Sequence, residues 1–283
     1  MSAVTSEMIK TLRERTGVGL IKCKNALEES NGDIEGAISI LRKAGVASAV
    51  KKESREAKEG AIDFVETSKA IGIVQMNAET DFVVNNEKFR NFLRDMALEM
   101  STGVATTLEA FVLKAFSKEA DKTIDEKRKE LISVLGENIL ISKGIYLKKD
   151  ANVSYGIYSH MNGKIFCLVE LAGSADQADF AKEIAMHVAA EAPDYLSADQ
   201  VPADIKAAEE EIAKSLVPQG KPAEIIEKIV SGKMQAFYND VCLLNQKYIK
   251  DTSVSVQDLV KARAKEIGKE LKLKGFYRLQ IGV

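Results

Sequence analysis

A strand–turn–strand–helix pattern that occurs twice constrains the fold of this chain more than any other sequence feature. In the first copy, residues 61–66 alternate apolar and polar side chains like a strand, and a short turn leads to a second predicted strand at 71–77. A segment over about 86–101 follows, and its apolar residues recur at helical spacing on one side. Because two paired strands bury one face against such a helix, the pattern predicts an α+β subdomain.

The second copy begins roughly ninety residues further along the chain. It predicts strands at 153–159 and 165–171, with the Asn162-Gly163 hairpin signal between them. A helix over about 176–191 follows. The repetition predicts two related α+β subdomains.

Further elements follow each copy. The first copy continues with a helix over about 121–135 and with a strand at 139–146 that joins the two copies. A helix over about 254–271 and a strand at 275–281 close the chain. The charged run from Lys118 to Lys129 is interpreted as the solvated face of a helix.

The N-terminal segment, residues 4–45, predicts three short helices. The run Thr16–Gly19 separates the first from the second, and Asn31-Gly32 ends the second. Asp33 is a candidate N-cap for the third helix, and Gly45 occupies the position expected of a glycine that ends it. Three apolar stripes can pack into a small bundle.

Two other segments differ in character from the repeated core. Residues 47–60 carry many charges and few apolar anchors, which predicts a linker that is partly helical at most. Residues 204–216 and 223–238 predict two helices, and the Gly- and Pro-containing loop 217–222 turns them into an antiparallel hairpin with one narrow apolar seam, as in a coiled coil. The predicted domains are a three-helix module at 1–46, a linker at 47–60, a first core subdomain at 61–140, and a second at 141–283 with the hairpin 204–238 inserted.

Charge and residue usage argue against a membrane protein or a general nucleic-acid binder. Lys and Arg number 40, Asp and Glu number 42, and the net charge of −2 gives no broad basic footprint. No apolar stretch approaches the roughly 18 residues of a membrane span, and the N-terminus lacks the apolar segment of a secretory signal. Three widely spaced cysteines, Cys23, Cys167 and Cys242, fit free thiols in a reducing compartment. We expect a cytoplasmic protein.

Catalytic and cofactor motifs are missing from the sequence. His160 adjoins a predicted turn, and His187 lies on a predicted helix, where a lone histidine is more often a structural or interface residue than a base. Gly17-Val18-Gly19 lies between helices and does not follow a strand, so it fails the context of a dinucleotide-binding motif, and no P-loop occurs. We predict no catalytic residue, no metal site, no cofactor and no stable nucleotide binding; the chain is expected not to be an enzyme.

One connection carries two interpretations. Thr80, Asp81, Phe82 and Val83 lie between a predicted strand and a predicted helix. In the first interpretation, Thr80 or Asp81 caps a turn and Phe82 is stapled to the core. In the second, Phe82 is an exposed aromatic wedge on a rigid support, with the Asp81 carboxylate beside it, and it enters a partner protein. The residues alone leave both open.

Six motifs occur in the order and over the length seen in bacterial elongation factor Ts, and the chain resembles that family. The motifs are Leu12-Arg13-Glu14-Arg15-Thr16-Gly17-Val18-Gly19-Leu20-Ile21-Lys22-Cys23-Lys24 with Ala26-Leu27; Glu79-Thr80-Asp81-Phe82-Val83; Gly136-Glu137-Asn138-Ile139; Met186-His187-Val188-Ala189-Ala190 with Pro193 and Tyr195-Leu196; Gly220-Lys221-Pro222 with Ile225, Glu227-Lys228, Gly232-Lys233-Met234 and Phe237; and Leu243-Leu244-Asn245-Gln246.

The resemblance implies a partner and a set of contact residues. The family has a ubiquitin-associated-like three-helix module, two α+β core subdomains and a protruding coiled-coil hairpin, and it promotes GDP release from elongation factor Tu. Asp81 and Phe82, within the run Thr80–Val83, would intrude beside the magnesium site of that GTPase. The region of His187 would face another domain of the partner. The segment that would pack on the nucleotide-binding domain comprises Leu12, Arg13, Thr16, Gly17, Val18, Gly19, Leu20 and Ile21.

The chain also departs from the family pattern. Leu20-Ile21 stands where two methionines are common, and apolarity survives there. Lys22 stands where an acidic residue is common, which puts any polar contact at that position in doubt. Ala78, Val84 and Lys247 replace a common cysteine, alanine and proline.

Three other functions compete with nucleotide exchange. An adaptor would bind proteins through the three-helix module and the hairpin without releasing nucleotide. A small-molecule enzyme would need a cleft with a perturbed titratable group. An RNA-binding protein would need a local basic face and would show steep salt dependence.

Overall fold

The computed structural model describes residues 4–105, 107–218 and 222–282, with the side chain of Val46 left aside. Helices and strands are mixed along the chain, which confirms the α+β class. The chain forms two compact units: one runs to Lys149 and includes Ile281, and the other spans Asp150–Gln280. None of the described helices is long and apolar enough to cross a membrane.

Among the residues that the structure describes, twelve elements form the first unit. They are α1 Ser6–Thr16, α2 Leu20–Glu29, α3 Ile34–Lys52, β1 Glu59–Glu66, β2 Ala70–Ala78, α4 Asp81–Val84, α5 Glu87–Ser101, α6 Leu108–Leu113, β3 Ala115–Phe116, β4 Glu119–Thr123, α7 Ile124–Leu135 and β5 Ile139–Lys148.

The described part of the second unit contains nine α-helices and strands and a 3₁₀ turn, Ala198–Gln200. They are β6 Val153–His160, β7 Ile165–Ala172, α8 Ala178–Glu191, α9 Ala203–Ser215, α10 Ala223–Val241, β8 Lys247–Tyr248, β9 Asp251–Ser255, α11 Val256–Ile267 and β10 Lys272–Gln280.

The N-terminal helices begin and end where the caps predict, with one exception. Gly17 adopts the left-handed conformation that ends α1, and the Asp33 side chain accepts from the backbone N–H groups of Glu35 and Gly36 at the start of α3. The prediction that Gly45 ends the third helix is wrong, because α3 continues through it to Lys52. The first residues of the predicted linker are therefore helical.

The two units contain sheets of the same topology. In the first, β2 lies between β1 and β5, all antiparallel, and α5 covers β1 and β2. In the second, β7 lies between β6 and β10, and α8 covers β6 and β7. Strand β5 pairs within the first sheet, so the domain boundary predicted at 140/141 falls inside a strand and the unit extends to Lys149.

The repeat extends beyond the predicted hairpin and helix. Each unit also contains a two-stranded hairpin, β3–β4 or β8–β9, that leads directly into a helix, α7 or α11. Thr123 caps α7 as Ser255 caps α11, and left-handed Gly136 ends α7 as left-handed Gly268 ends α11. The sequence did not predict these short hairpins, because strands of two to five residues are too short to show a periodic signal.

The charged run from Lys118 to Lys129 is only partly a helix face. Its first part forms β4, and Lys122 and Lys127 both pair with Glu119 and Glu130. Arg128 is buried and donates to the carbonyl oxygen of Ile139 at 2.8 Å. The prediction of a wholly solvated face is wrong because this helix packs between α3 and β5.

Helices α9 and α10 contact each other, as the predicted helical hairpin requires. Gln219-Gly220-Lys221, which carries part of the predicted turn and of the Gly-Lys-Pro motif, lies outside the described residues.

Candidate partner-binding surface

The connection between β2 and α5 presents an aromatic side chain to solvent. We call residues 79–84 the wedge segment. Within it, α4 is a helix of four residues that begins after Thr80, whose hydroxyl accepts from Val83 N–H at 3.4 Å. Asp81 is exposed and Phe82 is 85% exposed, whereas Val83 and Val84 are buried in the core of the first unit.

The wedge segment is held from the connection between α7 and β5. The Glu137 carboxylate accepts from the Thr80 backbone N–H at 2.9 Å and from its hydroxyl at 2.6 Å. The Asn138 backbone N–H donates to Glu79 at 2.7 Å, and Arg55 also contacts Glu79 at 3.5 Å. These charge-assisted bonds fix the two residues that lead into α4. The Gly136–Ile139 motif therefore acts as a clamp on the wedge segment.

This geometry separates the two interpretations of the segment. The predicted cap is confirmed at Thr80, but the prediction that Phe82 is stapled to the core is wrong, because its ring points away from the core. An exposed phenylalanine leaves a large apolar area in water, which costs free energy that a partner can recover by covering it. A rigid support keeps the entropy lost on binding small.

A second exposed apolar feature lies at the start of α2. We call Gly19, Leu20 and Ile21 the N-terminal patch. Gly19 precedes the first turn of α2 without a side-chain cap, and Leu20 and Ile21 are 53% and 78% exposed. Arg13 on α1 is also exposed.

The remaining predicted contact residues near α1 support the patch from beneath. Leu12 and Val18 are buried in the core of the three-helix module. The Thr16 hydroxyl donates to the carbonyl oxygen of Leu12 at 2.7 Å and accepts from Val18 N–H at 3.3 Å. Gly17 needs its left-handed conformation, with φ of 68°, which strains any residue with a Cβ atom. Periodicity could have assigned Leu12 to the core, since it lies on the apolar face of α1.

His187 does not provide surface for a partner. The side chain is fully buried on α8. Its Nδ1 accepts from the Ile249 N–H at 3.3 Å, so Nε2 carries the proton and donates to the Gln246 side-chain oxygen at 3.0 Å. Burial lowers the pKa of His187, although the Gln246 bond opposes the shift, and the ring is neutral. The prediction that His187 itself faces a partner is therefore corrected to a role inside the second unit.

Gln246 explains part of the Leu-Leu-Asn-Gln motif. This buried side chain also donates to the carbonyl oxygens of Glu191 and Asp240, at 3.3 Å and 2.8 Å. It thereby joins the ends of α8 and α10 to His187. The sequence analysis missed this role, because the polar contacts of a glutamine follow from tertiary structure alone.

Metal ligation finds no support in the described part of the chain, where no group of three or more His, Cys, Asp or Glu side chains could hold an ion. The three cysteines are buried free thiols. Burial raises the pKa of Cys167 to about 12, which leaves it unreactive at neutral pH.

Comparisons with known proteins found both a matching family model and similar sequences. Residues 79–283 match the family model described as elongation factor TS. Elongation factor Ts of Protochlamydia amoebophila is 53% identical over 282 residues, which span the full length of both chains. The elongation factor Ts proteins of Chlamydia muridarum and Chlamydia felis are each 44% identical over the full length of both chains.

Proposed function

The chain belongs to the elongation factor Ts family of translation elongation factors, and from that premise we propose that it binds elongation factor Tu·GDP and promotes the release of GDP. The observation that carries the proposal is Phe82, which is 85% exposed on a segment clamped by Glu137. The proposed role involves no covalent chemistry, so the chain is not an enzyme in this account. It acts in the cytoplasm, where its partner GTPase works.

Exchange follows from a difference in affinity. A GTPase holds its nucleotide by cradling the phosphates and by a magnesium ion that bridges phosphate and protein. An exchange protein binds the nucleotide-free GTPase more tightly than the GDP-bound GTPase. Because the coupling is reciprocal, the exchange protein lowers the affinity for GDP by the same ratio by which GDP lowers the affinity for the exchange protein. The factor therefore needs contacts that are compatible only with a disturbed nucleotide site.

We assign this disturbance to the wedge segment. Phe82 separates side chains beside the magnesium site, and Asp81 perturbs the water and carboxylate network around the ion. Loss of the ion leaves the diphosphate poorly neutralised, and GDP leaves. Thr80 and Val83 orient the pair, since one is clamped by Glu137 and the other is buried.

The N-terminal patch supplies binding energy. Covering Leu20 and Ile21 against the nucleotide-binding domain recovers about 25 cal/mol for each Å² of apolar area buried. Arg13 adds a charged contact at the rim, while Leu12, Thr16, Gly17 and Val18 act by holding the patch in shape. In the same proposal, the three-helix module is ubiquitin-associated-like. The α9–α10 pair is a protruding coiled-coil hairpin that adds contact area with the GTPase.

Release of fluorescent GDP from elongation factor Tu, with and without this protein and across a magnesium titration, tests the proposal. We expect acceleration that is lost in Phe82→Ala. Leu113→Ala is the matched control, because Leu113 is 70% exposed but lies outside the wedge segment and the N-terminal patch. Intact binding without acceleration by the unaltered chain would refute exchange and leave an adaptor.

A further inference from the structure

Helix α3 belongs to two hydrophobic cores. Its first half contributes Ala37 and Leu41 to the core of the three-helix module, and its second half contributes Ala49 to the core beneath the first sheet. Helix α7 also contributes to both cores: Ile132 lies in the core beneath the sheet, and Val134 packs against the core of the three-helix module. The seam between α3 and α7 therefore joins the module to the first sheet.

The two helices approach closely at Gly45. A Cβ atom at this position would lie 2.9 Å from the Ser133 hydroxyl oxygen and 3.0 Å from the Ser133 Cβ. Gly45 lies inside a regular helix, where glycine is less favourable than alanine by about 0.5–1 kcal/mol. The backbone conformation does not require glycine here, so the close approach to Ser133 is what a larger residue would disturb.

Ion pairs hold the seam on both sides of Gly45. Arg42 contacts Glu130 at 3.4 Å. Beyond Gly45, the buried Arg128 contacts Glu53 at 2.9 Å, and it also donates to the carbonyl oxygen that begins β5. Asp125 on α7 also pairs with this guanidinium at 2.7 Å, so Arg128 links α7 to the end of α3, and these charge-assisted contacts favour a single arrangement of the two helices.

The seam leads directly to the clamp on the wedge segment. Just after α7, the Asn138 side chain donates to the carbonyl oxygen of Arg55 at 2.7 Å, and its backbone N–H donates to Glu79. At the opposite end, α3 packs against α2, which presents Leu20 and Ile21. A continuous set of contacts thus runs from the N-terminal patch to Phe82.

We propose that Gly45 is a positioning residue: it lets α3 lie against α7 at the one spacing that holds the N-terminal patch and the wedge segment in register for the same GTPase molecule. This inference rests on the proposed function. When two contact regions are rigidly joined, the second engages at a high effective concentration after the first, and that advantage is lost when the geometry is wrong. A displacement of about 1 Å can cost about a hundredfold in rate.

The first test measures the spacing itself and does not depend on exchange. Spin labels at Lys24→Cys on α2 and Glu87→Cys at the start of α5 report the distance between the two regions, and the native cysteines are buried. In Gly45→Leu we expect a shifted or broadened distance distribution. Ala47→Leu is the control, because Ala47 is exposed on the same helix. An unchanged distribution in Gly45→Leu would overturn the proposal.

The second test measures GDP release by the same variants. We expect Gly45→Leu to promote GDP release about tenfold or more weakly than the unaltered chain, which is within the effect of a small misplacement on a rate. Ala47→Leu should promote release as well as the unaltered chain does. Gly45→Ala provides a milder change if the leucine prevents folding. Adding Ser133→Gly to Gly45→Ala should restore the acceleration of GDP release, because it removes the Ser133 Cβ and hydroxyl oxygen that the new methyl group would meet. Failure of this rescue, or equal losses in Gly45→Leu and Ala47→Leu, contradicts the proposal. If the unaltered chain does not accelerate GDP release from elongation factor Tu, the proposed function fails. The distance measurement still tests whether Gly45 sets the spacing between the two regions.

Discussion

The two units use the same connection in opposite ways. Between β2 and α5, the first unit places exposed Asp81 and Phe82 on a clamped backbone. Between β7 and α8, the second unit places a closed polar network: the buried Ser154 hydroxyl donates to the carbonyl oxygen of Ser174 and accepts from Gln177 N–H, both at 2.8 Å. The repeated scaffold therefore fixes the connection, and the residues within it decide whether its side chains are exposed to solvent or closed in internal hydrogen bonds.

A second pair of equivalent positions shows the shared scaffold. Glu99 on α5 accepts from the Ser117 N–H in the β3–β4 turn at 2.9 Å, and His187 on α8 accepts from the Ile249 N–H in the β8–β9 turn at 3.3 Å. Each buried side chain attaches a short hairpin to the helix that covers its sheet. One position is filled by a carboxylate and the other by an imidazole, so the two units respond differently to acid.

Opening the clamp in the first unit should have the largest effect. In Glu137→Ala, Thr80 loses both charge-assisted bonds, which should lower the free energy of unfolding by about 1–3 kcal/mol. GDP release should fall about thirtyfold, as for a hot-spot truncation of about 2 kcal/mol, although Phe82 is retained. Urea unfolding and GDP release measure the two effects. If Glu137→Ala is destabilised but still promotes GDP release at the normal rate, the rigidity of the wedge segment is unimportant for exchange.

Breaking the equivalent connection in the second unit should dissociate stability from exchange. Ser154→Ala leaves the Gln177 N–H without its partner in a buried site, which should cost about 1–3 kcal/mol in the free energy of unfolding. GDP release per folded molecule should stay unchanged. Denaturant titration together with release assays checks both. A loss of release as large as that in Glu137→Ala would mean that the two connections are not specialised.

Acidification should weaken the second unit before the first. Burial lowers the pKa of His187, so the unfolded chain takes up the proton first and stability falls as pH drops below about 6.5, by at most about 1.4 kcal/mol per pH unit. Burial alone would raise the pKa of Glu99, but bonds from Lys114 and Ser117 outweigh it and lower the pKa; its contribution is lost only as pH falls below about 4.3.

Thermal unfolding between pH 7 and pH 5 tests this difference. His187→Gln should flatten the pH dependence in this window. If the stability of His187→Gln still falls between pH 7 and pH 5, other titratable groups cause the pH dependence.

The smallest effect is expected where the two units are alike. Lys118 pairs with Asp95 and Lys250 pairs with Glu183 at equivalent turns; both lysines and Glu183 are exposed, and Asp95 is partly buried. Because exposed ion pairs contribute little, Asp95→Asn and Glu183→Gln should each leave the unfolding midpoint and GDP release nearly unchanged. Calorimetry of the two variants checks the expectation, and a large change in only one would reveal a further asymmetry.

The sequence predicted the repeated elements better than the roles of individual polar residues. Helices α5 and α8 carry strong periodic signals because each buries one face, whereas β2 and β7 are buried along nearly their whole length and appear as short, largely apolar runs. Gly45 was misassigned as a helix end, because a glycine before a charged segment resembles a terminus, and only the contact with Ser133 shows otherwise.

The candidate site divides in the same way. A resemblance assigned Phe82, Leu20 and Ile21 to one surface, and the structure exposes all three. It also assigned His187, which the structure buries. The difference arises because a motif preserves residues that shape a surface as well as residues that form it, and burial is set by packing between distant segments. The clamp between Glu137 and Thr80, 57 residues apart, could not be read from local spacing.

The central claim is that Phe82 acts on the nucleotide site after the complex has formed. The most direct measurement is the maximum rate of GDP release from elongation factor Tu at saturating concentrations of Phe82→Ala, alongside the affinity of this variant for the nucleotide-free GTPase. The account predicts a maximum rate lower by about thirtyfold, as for loss of about 2 kcal/mol, with a much smaller loss of affinity. Equal losses in rate and affinity would contradict it and make Phe82 a binding contact only.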